Sequence, residues 1–98
     1  MFDIQLGPAG EVVMGGRLDA TRCDSALQFL NVLAEARIID LARLDYIASA
    51  GLRVFLITQK RAKGLGGGIK LINVSQPIYD IFRYAGFDRI IDIARGTA

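Results

Sequence analysis

Three carboxylates in this sequence, Asp19, Asp40 and Asp45, lie close to predicted strand ends, where parallel sheets often place functional residues. Three acids at such an edge could bind a metal ion. Asp19 could equally cap a helix, Asp40 could lie within a strand and Asp45 could order a loop. The sequence has no histidine and one cysteine, Cys23, so the commonest general base and the usual zinc ligands are missing. Because no nucleophile has a base beside it, we expect no enzyme activity, no metal site and no cofactor.

The glycine run Gly64-Leu-Gly-Gly-Gly68 is a second candidate, since glycine-rich loops can surround phosphate groups. Phosphate loops of this kind lie between a strand and the helix that follows it. This run instead follows a predicted helix, precedes a predicted strand and lacks the Gly-Lys-Ser/Thr ending of a P-loop. We therefore predict a helix-to-strand turn rather than a nucleotide site.

The segment Ile47-Ala-Ser-Ala-Gly-Leu52 is the third candidate. Ser49 lies at the predicted start of an apolar helix, where serine often serves as the N-cap. A phosphate on Ser49 would lie at the positive end of the helix dipole, next to free N–H groups. The small residues Ala50 and Gly51 leave the backbone open to a partner. The pattern alone favours a capping role and leaves a phosphorylation switch open.

The elements that must position these residues alternate in the order β-β-α-β-α-β-α-β. This order predicts an α/β fold: a small mixed β-sheet with an N-terminal hairpin and parallel strands, packed with three or four helices. Gly15 and Gly16 indicate a bulge or a close backbone approach within the second strand. The predicted strands are residues 2–6, 11–18, 37–41, 69–73 and 89–93, and the predicted helices are 19–33, 51–63 and 75–86.

Side-chain periodicity and end signals define the predicted helices. In the first helix, Thr21 and Asp24 resemble a capping box, and Leu33 ends the apolar face. In the second, Gly64 is the expected stop after a basic last turn. Ser75 is the expected cap of the third. The residues expected to be buried are Cys23, Ala26, Leu27, Leu30 and Leu33, then Leu52, Phe55 and Leu56, and then Ile78, Ile81, Phe82 and Ala85.

Composition places the chain among ordinary folded proteins, with 52% hydrophobic and 22% charged residues in 98. This length predicts a single domain over residues 1–98. The formal net charge is +2 and the basic residues are scattered, so we expect no direct nucleic-acid binding and no membrane insertion. A lone cysteine suits a reducing compartment, and no signal peptide or membrane span is visible. We therefore expect a cytoplasmic protein.

Three stretches of the chain resemble the STAS domain, named from sulphate transporters and anti-sigma factor antagonists. Gly16-Arg-Leu-Asp19 is similar to the family's Gly-x-Leu-Asp. The run from Ile38 to Leu52 is similar to its strand, loop and Asp-Ser-Ser/Thr-Gly-Leu signature. Gly67-Gly-Ile-Lys-Leu-Ile-Asn73 and Ile81-Phe-Arg-Tyr-Ala-Gly-Phe87 are similar to its last strand and helix. The resemblance covers most of the chain.

The resemblance implies an anti-sigma factor antagonist, in which an anti-sigma factor kinase phosphorylates the serine matched by Ser49 and thereby ends binding. A serine phosphatase would be a further partner, and the protein would be a monomer or a weak dimer. The sequence departs from the signature at Ala48, where the family has an acid, and at Ala50. The alternative is a STAS subunit bound constitutively in a phospholipid-transport or signalling complex. The expected partner-binding residues are Tyr46, Ala48, Ser49, Ala50, Gly51 and Arg53.

Overall fold

The computed structural model describes residues 1–32 and 38–96. Leu33, expected at the end of the first helical face, lies outside these ranges. Among the described residues, short 3-10 helices occur at Ala20–Arg22 and Phe87–Arg89. The main elements are β1 (Phe2–Leu6), β2 (Val12–Leu18), α1 (Cys23–Val32), β3 (Ile38–Ile47), α2 (Ser49–Gly64), β4 (Lys70–Val74), α3 (Gln76–Tyr84) and β5 (Asp92–Arg95).

The five strands form one sheet in the order β1-β2-β3-β4-β5. β1 and β2 are antiparallel, whereas β2, β3, β4 and β5 are parallel to one another. The hairpin closes at a turn in which Gly7 N donates to Glu11 O at 2.7 Å and Gly10 N donates to Gly7 O at 3.1 Å. The predicted α/β fold, with its N-terminal hairpin and parallel strands, is therefore confirmed.

All three described helices pack on the same face of the sheet, as contacts between them show. The rings of Phe55 in α2 and Phe82 in α3 meet edge to face with their centroids 5.3 Å apart. Arg61 of α2 donates to the carbonyl of Leu30 in α1 at 2.7 Å. The opposite face is open, with charged side chains such as Arg43 exposed on it. No helix in the described ranges is both long and apolar enough to cross a membrane.

β3 is longer than the sequence predicted, because the segment from residue 44 continues the strand to Ile47 instead of forming a connection. Its pairing with β2 shifts register twice, between Val13 and Gly15 and between Gly16 and Arg17. The extra residues lie in β3, where buried side chains then recur at every third position. The loss of the usual two-residue alternation explains why the sequence did not reveal this half of the strand. The buried residues of this half are Leu41, Leu44 and Ile47.

Gly16 lies at the second register shift, although the extra residue there belongs to β3, and of the two predictions for the glycine pair the close backbone approach is the one observed. Its φ is +81°, which side chains rarely permit. A Cβ at this position would also collide with the Met1 carbonyl oxygen. A close backbone approach therefore requires glycine here.

Several predicted helix ends are wrong by a few residues. α2 begins at Ser49 and runs through Gly64, so Gly64 does not stop it. The expected capping box between Thr21 and Asp24 is replaced by Asp19, whose carboxylate accepts the Thr21 N–H at 3.1 Å. Ser75 is the N-cap of α3, but its side chain makes no capping hydrogen bond. β5 begins at residue 92 rather than 89, because Phe87–Arg89 forms a 3-10 turn.

The expected core is largely correct on α1 and α3 and partly correct on α2. Cys23, Ala26 and Leu30 are buried on α1, and Ile78 and Phe82 on α3. Three further residues expected to be buried are not, since Leu27 and Ile81 are half-buried and Ala85 is exposed. On α2, Phe55 is buried, whereas Leu52 and Leu56 are half-buried.

One buried polar side chain, Gln59 of α2, connects three segments. Its Nε2 donates to Ile90 O at 2.5 Å, and its Oε1 accepts from Ile69 N at 2.7 Å. A Cβ on Gly68 would lie 3.2 Å from each end of the Gln59 amide. Both ends of this buried amide are thus satisfied, and they hold α2 against the start of β4 and the turn before β5.

Candidate functional site

The carboxyl ends of β2 and β3 lead directly into the first turn of α2. Leu18 pairs with Ile47 at the end of the two strands, and Ala48 N donates to Leu18 O at 3.0 Å. The strand ends therefore fix the position at which α2 begins. This is the edge of a parallel sheet where functional residues commonly lie.

Gly51 allows the first turn of α2 to pack closely on these strand ends. A Cβ there would lie 2.8 Å from Ile47 Cγ1 and 3.0 Å from Leu18 O. Gly51 is buried, so it lies beneath the surface on which the sequence predicts a partner contact for it. Its position indicates a packing role.

Ser49 is the first residue of α2, and the predicted capping role for it is wrong. The N-cap is Ala48, whose backbone is extended and whose methyl group cannot accept a hydrogen bond. Ser49 is exposed. In the parts of the chain that the structure describes, its hydroxyl has no hydrogen-bond partner. The Ala48 side chain also offers no acceptor to the N–H groups of the first turn, so these groups remain available to an anion or a partner.

Five of the six predicted partner-binding residues are accessible around this helix start. Tyr46 and Arg53 are exposed like Ser49, and Ala48 and Ala50 are half-buried. Ser49 and Arg53 are four residues apart on one helix and so lie on the same face. We call Tyr46, Ala48, Ser49, Ala50 and Arg53 the Ser49 surface.

Arg17 adjoins the Ser49 surface, although it is not among the residues that the sequence predicts to bind a partner. It pairs with Tyr46 across β2 and β3, and its guanidinium carbon lies 4.1 Å from the centroid of the Tyr46 ring. Arg17 belongs to the Gly-Arg-Leu-Asp stretch noted in the sequence. Only the register between the two strands reveals that it supports Tyr46.

The three carboxylates considered as a metal site do not form one cluster, and Asp19 and Asp40 each make local hydrogen bonds. The Thr21 hydroxyl donates to Asp19 at 2.7 Å and holds the pKa of this exposed carboxyl below its usual value. Asp40 accepts a hydrogen bond from Asn73 Nδ2 at 3.0 Å, and Asp45 is exposed within β3. Within residues 1–32 and 38–96, no three His, Cys, Asp or Glu side chains are grouped so that they could hold a metal ion.

The glycine run forms a turn between α2 and β4. Gly66 has a φ of +95°, and its N–H donates to Lys63 O at 3.1 Å. Gly67 N donates to Ala62 O at 3.1 Å. These bonds close the end of the helix, in agreement with the predicted helix-to-strand turn.

A cavity of about 800 Å³ lies elsewhere, at the ends of β4 and β5 and the start of α3. It shares no residue with the Ser49 surface. Arg95 at its edge donates to Gln76 Oε1 at 2.9 Å, and Asn73 on its wall is bound to Asp40. These polar groups already have partners within the protein. The cavity residues are Ala42, Asn73, Val74, Ser75, Gln76, Pro77, Arg95 and Gly96.

Comparison with known proteins defines the family. The model of the family described as "Mlab, STAS domain" matches residues 5–92. The anti-sigma-B factor antagonist of Bacillus subtilis (strain 168) is 36% identical over 95 residues, covering 94% of this chain and 82% of that protein. The chain therefore belongs to the STAS domain family, as the sequence resemblance predicted.

Further relatives agree with this family. The protein BtrV of Bordetella bronchiseptica is 39% identical over 57 residues, covering 58% of this chain and 49% of BtrV, so the match spans about half of that relative. The anti-sigma factor antagonist SpoIIAA in its unphosphorylated form superimposes with a TM-score of 0.73 at 19% identity, covering 96% of this chain and 88% of that chain. SpoIIAA in its phosphorylated form gives a TM-score of 0.67 at the same identity, covering 96% and 91%. At these identities the structures show a shared fold.

Proposed function

We propose that this protein is an anti-sigma factor antagonist that binds an anti-sigma factor kinase through the Ser49 surface, and that phosphorylation of Ser49 ends this binding. The proposed role is regulation by partner exchange in the cytoplasm, with no catalysis by this chain. It is supported by a relative of similar length named as an anti-sigma-B factor antagonist. A structural neighbour, SpoIIAA, is known in a phosphorylated and an unphosphorylated form.

The observation that carries this proposal is the accessibility of the Ser49 hydroxyl in the first turn of α2. A kinase must reach the acceptor hydroxyl, and Ser49 is exposed. Within the described residues its hydroxyl makes no hydrogen bond that would have to be broken first. The half-buried methyl groups of Ala48 and Ala50 on either side leave room for another backbone to approach.

A phosphate on Ser49 is compatible with the fold itself. It would add about −1.5 to −2 charge at neutral pH. The N-terminus of a helix favours such a charge by roughly 0.3–1 kcal/mol, and Ala48 presents no side chain that competes for the first-turn N–H groups. Arg53, one turn along the same helix face, can pair with the phosphate. Phosphorylation is therefore expected to leave the folded structure in place.

The same phosphate is unfavourable inside a close interface. A partner in contact with Ala48 and Ala50 would cover Ser49 and remove its phosphate from water. Even when Arg53 pairs with the phosphate, taking the two charges out of water carries a desolvation penalty of several kcal/mol per ion, whereas about 2.7 kcal/mol already weakens binding roughly a hundredfold. The complex can therefore dissociate while the domain stays folded. A serine phosphatase would restore the binding form.

A second candidate function is constitutive binding as a STAS subunit of a phospholipid-transport or signalling complex. The observation that favours it is Ala48, which takes the place of the acid in the family signature. If a kinase requires that acid, the Ser49 surface would still bind a partner but would not be regulated by phosphate.

The experiment that separates the two is phosphorylation by the cognate anti-sigma factor kinase with ATP, followed by intact mass measurement. We expect one added phosphate, which Ser49→Ala abolishes. Ser25→Ala is the matched control, because Ser25 is also an exposed serine on a helix. The phosphorylated protein should lose its affinity for the kinase in calorimetry.

A kinase that phosphorylates a standard antagonist in parallel, but leaves this protein unmodified, would contradict the switch. Unaltered binding of that kinase would then support the constitutive subunit. If neither the unmodified nor the phosphorylated protein bound the kinase, the antagonist function itself would be contradicted.

A further inference from the structure

The free edge of β1 has an unpaired row of backbone groups. β1 is the first strand of the sheet order, and within residues 1–32 and 38–96 it pairs with β2 alone. The bonds Arg17 N to Met1 O and Gly7 N to Glu11 O, both 2.7 Å, lie at the two ends of this pairing. Since antiparallel pairs alternate between bonded and non-bonded positions, residues 1, 3, 5 and 7 bond to β2. The N–H and C=O groups of Phe2, Ile4 and Leu6 therefore point away from β2.

The side chains of the same three residues form an apolar row along this edge. Ile4 pairs with Met14 and Leu6 with Val12, so they lie on the helix-covered face of the sheet. Phe2 and Ile4 are half-buried, and Leu6 is 50% exposed. Unpaired backbone groups and partly exposed apolar side chains thus occur together on one strand edge.

The opposite edge of the sheet, formed by β5, carries features that discourage strand addition. β5 has four residues, with charged Asp92 and Arg95 at its two ends, and its pairing with β4 is irregular. Such devices are typical of protected edges. β1 has five residues in unbroken register, and its one charged side chain, Asp3, lies on the other face of the sheet from the apolar row.

We propose that β1 pairs with β1 of a second copy of this chain, antiparallel about a twofold axis at Ile4. In this register Ile4 lies opposite the partner's Ile4, Phe2 opposite the partner's Leu6, and Asp3 opposite the partner's Gln5. The outward backbone groups then form about six hydrogen bonds, since each bonded pair exchanges both of its N–H groups. The two sheets become one continuous sheet, and the two apolar rows adjoin.

The neighbouring antiparallel registers are poorer. An axis at Asp3 would place two Asp3 carboxylates directly opposite each other, which is destabilising. An axis at Gln5 would place Phe2 opposite the partner's Pro8, which has no N–H to donate. The register centred on Ile4 alone pairs all three outward-facing residues and separates the like charges.

The proposed dimer is weak, because a single strand edge covers less than the roughly 800 Å² per partner of a standard interface. It uses none of the residues of the Ser49 surface. The dimer and the proposed partner switch can therefore be tested, and can fail, separately.

Sedimentation velocity from micromolar to millimolar concentration tests the association. We expect the average mass to rise from 10.7 kDa toward twice that value. Leu6→Lys should keep the protein monomeric over this range. Ile57→Lys is the matched control, since Ile57 is a similarly exposed apolar residue, 41%, on α2. A monomeric parent at millimolar concentration, or a dimer unaffected by Leu6→Lys, would overturn the proposal.

Disulfide trapping tests the register. Ile4→Cys places two thiols on a bonded pair with Cα atoms about 5.5 Å apart, within the roughly 4.4–6.8 Å that a disulfide spans. We expect rapid crosslinking of Ile4→Cys under mild oxidation, and little for Gln5→Cys alone, because its partner thiol lies diagonally at about 7–8 Å. A mixture of Asp3→Cys and Gln5→Cys should crosslink to each other. Equal crosslinking of Gln5→Cys and Ile4→Cys would overturn the register.

Discussion

The guanidinium of Arg17 stacks on the ring of Tyr46, with 4.1 Å between the guanidinium carbon and the ring centroid. The two residues are paired across β2 and β3, at the strand ends beside Ser49. Stacking limits the rotamers of Tyr46, and tyrosine and arginine are common anchors of protein interfaces. Tyr46 is therefore held in place before the proposed partner binds.

We expect Arg17→Gln to lower the free energy of unfolding by about 0.5–1 kcal/mol, the usual value of an exposed cation–π contact. Tyr46→Phe should leave stability unchanged, because a phenyl ring retains the face on which Arg17 stacks. Urea denaturation of both variants and the parent measures this. Equal loss of stability in Arg17→Gln and Tyr46→Phe would show that the phenolic hydroxyl, rather than stacking, is responsible.

Replacing Phe55 should have a far larger effect. Phe55 has 0% exposure and contacts the Phe82 ring edge to face. We expect Phe55→Ala to cost roughly 3–5 kcal/mol, a large share of the stability of a small domain. Ile57→Ala, on the exposed side of the same helix, is the control and should cost much less. A melting temperature unaltered by Phe55→Ala would contradict the observed packing of α2.

Two glycines of α2 should respond in opposite directions to alanine. Gly51→Ala places a Cβ 2.8 Å from Ile47 Cγ1 and should destabilise the fold by roughly 1–3 kcal/mol. Gly64→Ala meets nothing within 4 Å and should stabilise it by about 0.4–1 kcal/mol, since alanine restricts the unfolded chain. Thermal denaturation compares the pair. If Gly51→Ala left the melting temperature unchanged, the start of α2 would be able to move away from the strand ends.

A bulky charge within the Ser49 surface should block the partner without unfolding the domain. Ala50 is half-buried beside Ser49, and an arginine there would stand between the two backbones. We expect Ala50→Arg to abolish binding of the anti-sigma factor kinase in calorimetry while the circular dichroism spectrum is unchanged. Ser25→Arg, an exposed position on α1, is the control and should bind like the parent. Normal binding by Ala50→Arg would place the interface elsewhere.

The thiol of Cys23 should report unfolding. Burial raises the pKa of Cys23, and its Sγ donates to Asp19 O at 3.2 Å. Because the folded state holds this proton more tightly than the unfolded state, its contribution to stability is complete at neutral pH. That contribution is lost as the pH rises from the unfolded to the folded pKa.

We therefore expect slow reaction of Cys23 with a disulfide reagent at neutral pH, accelerated by urea through the unfolding transition. Ser25→Cys supplies an exposed thiol for comparison within the same protein. Reaction of Cys23 as fast as that of the introduced thiol would contradict its burial.

Features fixed by neighbouring residues were predictable from the sequence. The hairpin follows from the alternating run Phe2–Leu6 and the Gly7-Pro-Ala-Gly10 turn after it, and both are local signals. The apolar face of α3 also depends only on residues within that helix, and Ile78 and Phe82 are buried, as their spacing predicted. The order of strands and helices then restricts the sheet to few arrangements.

Features that depend on distant residues were not predictable. The second half of β3 depends on the two register shifts in its pairing with β2. The residues of β3 alone do not reveal these shifts. The start of α2 is set by the bond from Ala48 N to Leu18 O, so Ser49 occupies the first helical turn instead of the cap. Arg17 became part of the site through the same strand pairing.

The contact between Gln59 and Gly68 has a consequence for sequence divergence within the family. Because a Cβ at position 68 would lie 3.2 Å from the Gln59 amide, a side chain there requires the amide to shift from its two hydrogen-bond partners. A shorter residue at 59 would make room at 68, but it would leave Ile69 N and Ile90 O without the partner that they have here. Homologues with a side chain at position 68 should therefore lack glutamine at 59, and should satisfy the two backbone groups by another route.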